Sequence, residues 1–267
     1  KGVEFSLRWD DKITDSFTYW VGGNISNNRN TLESISNPNV SFAQGGGLGN
    51  GQYTKLLSFE AVGQPLGSFF MWEYAGLDEN GAMQFFNADG EIVSQDQLTV
   101  ADRKFVGSVI PKVNYGLSLG AKYKNIDFSI DAYGTGGGKV YNGKKAQRFS
   151  GENIEYSVAT DFWTPTNTDA ANPAPFNAVP IASTYYLESA DFFRINNITI
   201  GYTLPQFSDY ISSARIYFNA VNPFIFQKFS GFSPELNNDG NPYGSQGIEI
   251  DAYPTVKSFV FGVNLKF

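Results

Sequence analysis

Apolar side chains recur at every second position through most of this chain, and that period commits it to β-strands with two unlike faces. In residues 2–10, Val3, Phe5, Leu7 and Trp9 alternate with Glu4, Ser6, Arg8 and Asp10. Phe17, Tyr19, Val21 and Ile25 alternate with Thr18, Trp20, Asn24 and Ser26. From 112 to 123, Val113, Tyr115, Leu117, Leu119, Ala121 and Tyr123 oppose Asn114, Gly116, Ser118, Gly120 and Lys122. Ile126, Phe128, Ile130 and Ala132 oppose Asp127, Ser129 and Asp131; Ile216, Phe218 and Ala220 oppose Arg215, Tyr217 and Asn219. The last fifteen residues or so end in Phe259, Phe261, Val263, Leu265 and Phe267, set against Ser258, Gly262, Asn264 and Lys266. One strand changes phase. In DFFRINNITIGYTL, Phe193 and Ile195 are odd-numbered, whereas Ile198, Ile200 and Tyr202 are even. One extra residue near Asn196-Asn197 reconciles the two halves and predicts a bulge there.

Composition removes whole classes of function. The 267 residues hold no His and no Cys, which excludes Ser-His-Asp and Cys-His catalysis, His/Cys zinc sites, Fe–S clusters and disulfide scaffolds within them. A net charge of −7 disfavours nucleic acid as the main partner, since phosphate binding draws on clustered Lys and Arg. Mean hydropathy is −0.25, and no window approaches the roughly 20 apolar residues of a membrane helix. The chain opens KGVEFSLRWD, without an initiator Met or a signal peptide, as a processed product or a fragment would.

Strands that are half apolar and half polar fit a soluble sandwich or a membrane barrel. In the barrel the apolar face meets lipid and the polar face lines the lumen. Two features favour the barrel. Outward aromatics gather near the short turns (Trp9, Phe17, Tyr19, Tyr123, Phe128, Tyr202, Phe267), as an interfacial girdle would. The connections also alternate: 11–16, 124–125 and 205–213 are short, whereas 27–111, 135–191 and 223–254 are long and rich in Gly, Asn, Pro and Ser. Loops beyond about 12–15 residues are uncommon in compact soluble domains, and this alternation is usual in outer-membrane barrels. Seven strands are expected, near 2–10, 17–27, 112–124, 126–134, 192–203, 214–222 and 255–267. An odd count cannot close an antiparallel barrel, so further strands are expected upstream.

With that frame in place, nearly the whole chain resembles one family. KGVEFSLRWDDKITDSFTYWVGGNISNNRN is similar to a barrel hairpin of the SusC-like TonB-dependent transporters (the SusC/RagA family of Bacteroidetes). VGQPLGSFFMWEYAGL is similar to their stretch after a long loop. Asp102-Arg103, Gly107, Pro111-Lys112 and Tyr115-Gly116 follow their DR…G…PK…YG pattern, and YYLESADFFRINNITIGYTLP and YPTVKSFVFGVNLKF resemble their late motifs. The resemblance implies an all-β fold, the C-terminal segment of a plugged barrel of about 22 strands, spanning 1–267 with the plug and signal sequence absent. It also implies a multi-pass position in the outer membrane, nutrient import energised by TonB through the absent plug, and a SusD-like lipoprotein lid. No cofactor is implied. The terminal pattern Phe259, Phe261, Val263, Leu265, Phe267 resembles the signal read by the barrel assembly machinery; an exposed aromatic edge strand also suits recognition by strand addition.

Other motifs have plainer readings beside the sharp ones. GLDENGAMQFFNADGEIVSQD, aligned on Gly90, puts Asn87 and Asp89 at calcium-ligand positions, but Phe85 occupies the first; an acidic Gly-turn is the better reading, and no metal site is expected. In the last long loop Phe229, Phe232, Tyr243 and Tyr253 lie among Glu235, Asp239, Glu249 and Asp251. Such groups can hold sugar rings by stacking and hydrogen bonding, or can simply pack the loop on itself or on a lid. With Trp72 and Trp163, the residues Phe229, Phe232, Glu235, Tyr243 and Tyr253 are the candidates for contact with an oligosaccharide or peptide substrate or with the lid. Asn50, Gln52, Tyr53 and Tyr185 are further loop residues without individual warrant. Inward Arg8, Lys122, Asp127, Asp131 and Arg215 read as a network of paired lumen charges, and the glycines at 45–47 and 136–138 as loop tips rather than phosphate cradles. Two other classes compete. A soluble or surface glycan-binding β-sandwich would bury Phe5, Leu7, Leu117, Leu119, Phe259 and Phe261. A glycosidase would need two carboxylates about 5–10 Å apart in a cleft, and no strand-end pair stands out, so no catalytic residue is expected.

Overall fold

The computed structural model describes residues 1–36, 47–49, 52–53, 61–147, 156–174, 181–206, 210–235, 247–249 and 253–267. Seven long strands build one antiparallel sheet in sequence order: β1 (Gly2–Thr14), β2 (Phe17–Asn28), β3 (Val113–Tyr123), β4 (Ile126–Gly136), β5 (Phe192–Leu204), β6 (Ser213–Gln227) and β7 (Ser258–Lys266). All seven expected strands are present. β1 runs on to Thr14, so residues 11–14 belong to a strand instead of a turn, and its register with β2 slips between Lys12 and Thr14. β6 runs past Pro223 to Gln227 because Asn222 adopts φ 50° and the ladder skips from Val221 to Phe224. Proline is tolerated at such an irregularity because no ladder hydrogen bond is asked of it.

The bulge in β5 falls at Asn196. On β4, Asp131 pairs with Asn197 and Ala132 with Ile195, which leaves Asn196 without an opposite number. Below it, even-numbered residues of β5 face the apolar side; above it, odd-numbered ones do. Arg194 thereby joins Asp127, Asp131 and Tyr133 of β4 on the polar side.

The apolar face stays open. Phe5, Leu7, Leu117 and Phe259 are exposed, Leu119 is half-buried, and Phe261 is 79% exposed. A sandwich would have buried these side chains, so the soluble-sandwich alternative is corrected here: no second sheet covers this face among the described residues. Aromatics line its lower margin, where Phe17 lies 6.4 Å from Tyr19 and 6.3 Å from Tyr123. A second row, not foreseen from sequence, marks the upper margin. Tyr115 stacks on Phe193 at 6.1 Å and Phe193 on Phe226 at 6.3 Å. From Tyr115 to Tyr123 the strand advances about 27 Å at ~3.4 Å per residue. At a tilt of about 40° that spans roughly 20 Å, close to the apolar band of a membrane barrel.

The polar face carries small hydroxyl and amide side chains with a few paired charges. Arg215 Nε donates to Asp127 Oδ1 at 2.9 Å, Arg8 Nε to Asp10 Oδ2 at 2.8 Å, and Ser118 Oγ to Asp131 Oδ1 at 2.8 Å.

The buried core lies in the connections. Phe69 and Met71 of the first long loop pack with Tyr141, Ala146, Val158, Ala182 and Tyr186 of the second and Ile248 of the third. The loops have sheets of their own. Ser68–Met71 pairs with Lys104–Ser108, and Glu73–Leu77, Met83–Phe86 and Ile92–Ser94 form a three-stranded unit. Lys139–Asn142 joins Leu187–Ser189 to Ile248–Glu249. Loop aromatics such as Phe69, Phe85, Tyr141 and Tyr186 are therefore interior.

Candidate functional site

The long loops gather at one end of the sheet, and the candidate residues lie in this layer under unlike constraints. Trp72 is held by its ring nitrogen, which donates to the Thr99 carbonyl at 2.8 Å, and the Arg103 guanidinium stands 5.5 Å from its ring. Arg103 also covers Phe70 at 4.6 Å, and burial pulls its pKa down. Trp163 packs on Gly81, whose φ of 75° and missing side chain make room for the indole. Phe229 is buried. Phe232 is 53% exposed, with the Lys144 ammonium 4.1 Å from its ring. Tyr253 is 86% exposed. Tyr243, like Asn50, Asp239 and Asp251, lies outside the described residues.

Glu235 belongs to a polar cluster where the last long loop meets the wall. Arg194 Nε donates to Glu235 Oε2 at 2.7 Å, and the Tyr133 hydroxyl donates to Glu235 Oε1. Tyr133 and Arg194 are directly paired across β4 and β5 on the polar face. Arg194 is only 3% exposed, so its partner is that carboxylate in place of water. Ser233, also buried, sits between them, with its hydroxyl 3.4 Å from the guanidinium. The same loop is tied at its start. Gln227 Nε2 donates to the carbonyls of Phe229 and Gly231 at 3.0 and 2.7 Å. Glu188 accepts from Ser230 N–H at 2.6 Å, Ser230 Oγ at 2.7 Å and Asn142 Nδ2 at 3.0 Å. Arg194, Tyr133 and Glu188 were not singled out from sequence. The phase break that predicted the bulge already turned Arg194 inward, and that signal could have found it.

A second cluster surrounds Tyr185. Its hydroxyl donates to Asn172 Oδ1 at 2.6 Å, its ring lies 5.2 Å from Tyr74, and Lys145 stands 4.0 Å over it. Burial pushes the Tyr185 pKa far up, and that of Tyr74 up as well. Both therefore remain neutral phenols, that of Tyr185 engaged as a donor. In the acidic turn, Asn87 Oδ1 accepts from the N–H groups of Asp89 and Glu91 at 3.0 and 2.8 Å, so that oxygen closes the turn. Among the described residues no group of three or more His, Cys, Asp or Glu could hold a metal ion.

No protein-family model matches the chain. Curated relatives do. TonB-dependent receptor P3 of Formosa agariphila is 27% identical over the whole chain and 28% of its own length. The TonB-dependent receptor SusC of Bacteroides thetaiotaomicron is also 27% identical over the whole chain, and over 26% of its own. The solved structure of the RagAB peptide transporter superposes with a TM-score of 0.76 at 26% identity, again covering all of this chain and 29% of the other. Along its whole length this chain is similar to a segment of the SusC-like TonB-dependent receptors. It spans between about a quarter and three tenths of the length of these relatives. The seven-stranded sheet of this SusC-like segment matches a fragment of a TonB-dependent β-barrel, so its open apolar face is the side such a barrel turns to lipid. No helix among the described residues is long and apolar enough to cross a membrane, which says nothing of crossing by strands. The matched relatives are outer-membrane receptors and transporters rather than enzymes.

Proposed function

We propose that this segment is the C-terminal wall, lumen lining and outer loop layer of an active nutrient importer, a plugged barrel of about 22 strands. The observation that carries the proposal is the open apolar face, bounded above and below by aromatics, behind a polar face and under a packed loop layer. Import is driven by TonB acting on a plug, and a SusD-like lipoprotein covers the loops. No covalent step is assigned to any residue.

Oligosaccharide is the first substrate class. Phe232 and Tyr253 support it, being exposed rings of the loop layer suited to stacking on sugars. Peptide is the second, favoured by the likeness to a structure described as a peptide transporter. Trp72, Trp163, Phe229, Phe232, Glu235, Tyr243 and Tyr253 remain the proposed contacts for substrate or lid, with Phe232 and Tyr253 the best presented of those described. Phe259, Phe261, Val263, Leu265 and Phe267 serve the assembly machinery as its recognition strand. The deciding experiment is uptake of labelled oligosaccharides and peptides by cells carrying the full-length transporter, with TonB present or deleted. Uptake that requires TonB is the expected result, and uptake indifferent to TonB would sink the reading. Phe267→Ala should lower the amount of assembled barrel without changing transport per molecule.

A further inference from the structure

A guanidinium stands on the polar face where simple alternation would have sent it to lipid. Ile198, Ile200 and Tyr202 are even-numbered and face the apolar side, and Arg194 is even-numbered too. Only the extra residue at Asn196 brings Arg194 inside, and re-aiming a side chain is a recognised use of a bulge. Two neighbouring strands then converge on one loop carboxylate: Arg194 on Glu235 Oε2 and Tyr133 on Glu235 Oε1. A guanidinium so buried needs its counter-ion, since an unmatched charge out of water is costly. The contact fastens the loop to the inward side of the wall and not merely to other loops. At its other end, Glu188 and Gln227 hold the same stretch at Ser230, Phe229 and Gly231. Phe229 is its buried foot, and Phe232 its exposed ring.

From this arrangement we infer that residues 228–235 form a fixed ledge at the mouth of the lumen, which sets the largest solute admitted. Glu235 is its positioning residue, and Arg194 and Tyr133 are its anchor on the wall. The inference rests on the import reading but is tested by accessibility rather than by uptake.

The segment has no cysteine, so a single one at Ser129, on the polar face of β4 below Tyr133, is a clean target in a full-length transporter cleared of any others. Whole cells are treated from outside with maleimide–polyethylene glycols of graded size. Small reagents should label wild type, Glu235→Gln and Arg194→Met alike. The largest should label the two variants at least about tenfold faster than wild type, the change expected when the barrier to passage falls by one decade in rate. Glu235→Asp keeps the charge but shortens the reach, and Tyr133→Phe removes one contact; both should fall between. If Arg194→Met does not assemble, as judged by heat-modifiability in gels, these two milder variants carry the test. Labelling that is equal across wild type and variants at every size, or equally absent, overturns the ledge. An altered size limit without TonB-dependent uptake keeps the ledge and removes the import reading; uptake with an unaltered limit does the reverse.

Discussion

Tyr115 reaches across Gly134 to donate its hydroxyl to the Phe192 carbonyl at 3.1 Å, a bond that links β3 to β5 over the strand between them. The bare glycine makes the crossing possible. A methyl group built on Gly134 would stand 2.3 Å from the Phe192 carbonyl oxygen and 2.5 Å from the Tyr115 hydroxyl.

Gly134→Ala should therefore destabilise the wall by about 1–3 kcal/mol, the usual cost of forced overpacking, because backbone has to yield. Tyr115→Phe should cost only about 1 kcal/mol, the worth of one net hydrogen bond. Urea unfolding of the full-length protein refolded into lipid vesicles would rank the two. Equal midpoints for Gly134→Ala and wild type would refute the close approach.

Leu119 lies midway between the two aromatic rows, and Ser118 beside it faces the other way. Leu119→Arg should cost about 2–4 kcal/mol in membrane folding, the penalty for a cation at the midplane of a lipid-facing strand. Ser118→Arg should cost far less, since its side faces water. Folding yield in vesicles separates the two, and a reversed order would mean the faces are assigned the wrong way round.

Glu188 couples the second long loop to the third through Ser230, and within its own loop it accepts from the buried Asn142. Glu188→Ala should weaken that junction by about 1–3 kcal/mol, because the buried Asn142 amide loses an acceptor and the Ser230 bonds across the loops are lost. The wall should be unaffected. Limited proteolysis from outside the cell should then cut the loop layer faster while heat-modifiability stays normal.

Asp102 accepts from the Thr99 hydroxyl, the Thr99 N–H and the Ala88 N–H, and these bonds hold its carboxyl below the ordinary aspartate value of 3.8. A depressed folded pKa stabilises in full above the unfolded value, and the gain disappears as pH falls through the folded one. The turn around Thr99 should thus loosen only below about pH 4. Trp72, bonded to the Thr99 carbonyl, is a built-in reporter: its fluorescence should shift on acidification, and Asp102→Asn should show the shifted signal already at neutral pH.

The wall was legible because each of its strands separates two unlike surroundings, and alternation records that separation directly. Its ends were less so. Polar Asp11 and Lys12 read as a turn because a strand near the water boundary can carry charge on either face. Pro223 read as a stop because the left-handed Asn222 that accommodates it is visible only in the backbone. The loop sheets were hidden for another reason. Phe69, Tyr141 and Ile248 meet in one cluster although long stretches of chain separate them, and no local period records a contact of that range. Glu235 was noticed as a carboxylate among aromatics. Its engagement by Arg194 and Tyr133 needed the pairing of β4 with β5, which composition does not encode.

The placement of the buried core in the loops gives the molecule two opposite rules for tolerating change. In the layer around Phe69 and Tyr186, a polar substitution meets a dry interior and should be rejected as in any water-soluble domain. In the wall, away from the close crossing of Tyr115 over Gly134, the outward positions ask only for greasiness, so Leu, Ile, Val and Phe should trade places there freely. Sequence drift in such proteins should accordingly be conservative in character but loose in identity along the strands. In the loops it should come as linked replacements, one interior side chain compensating another.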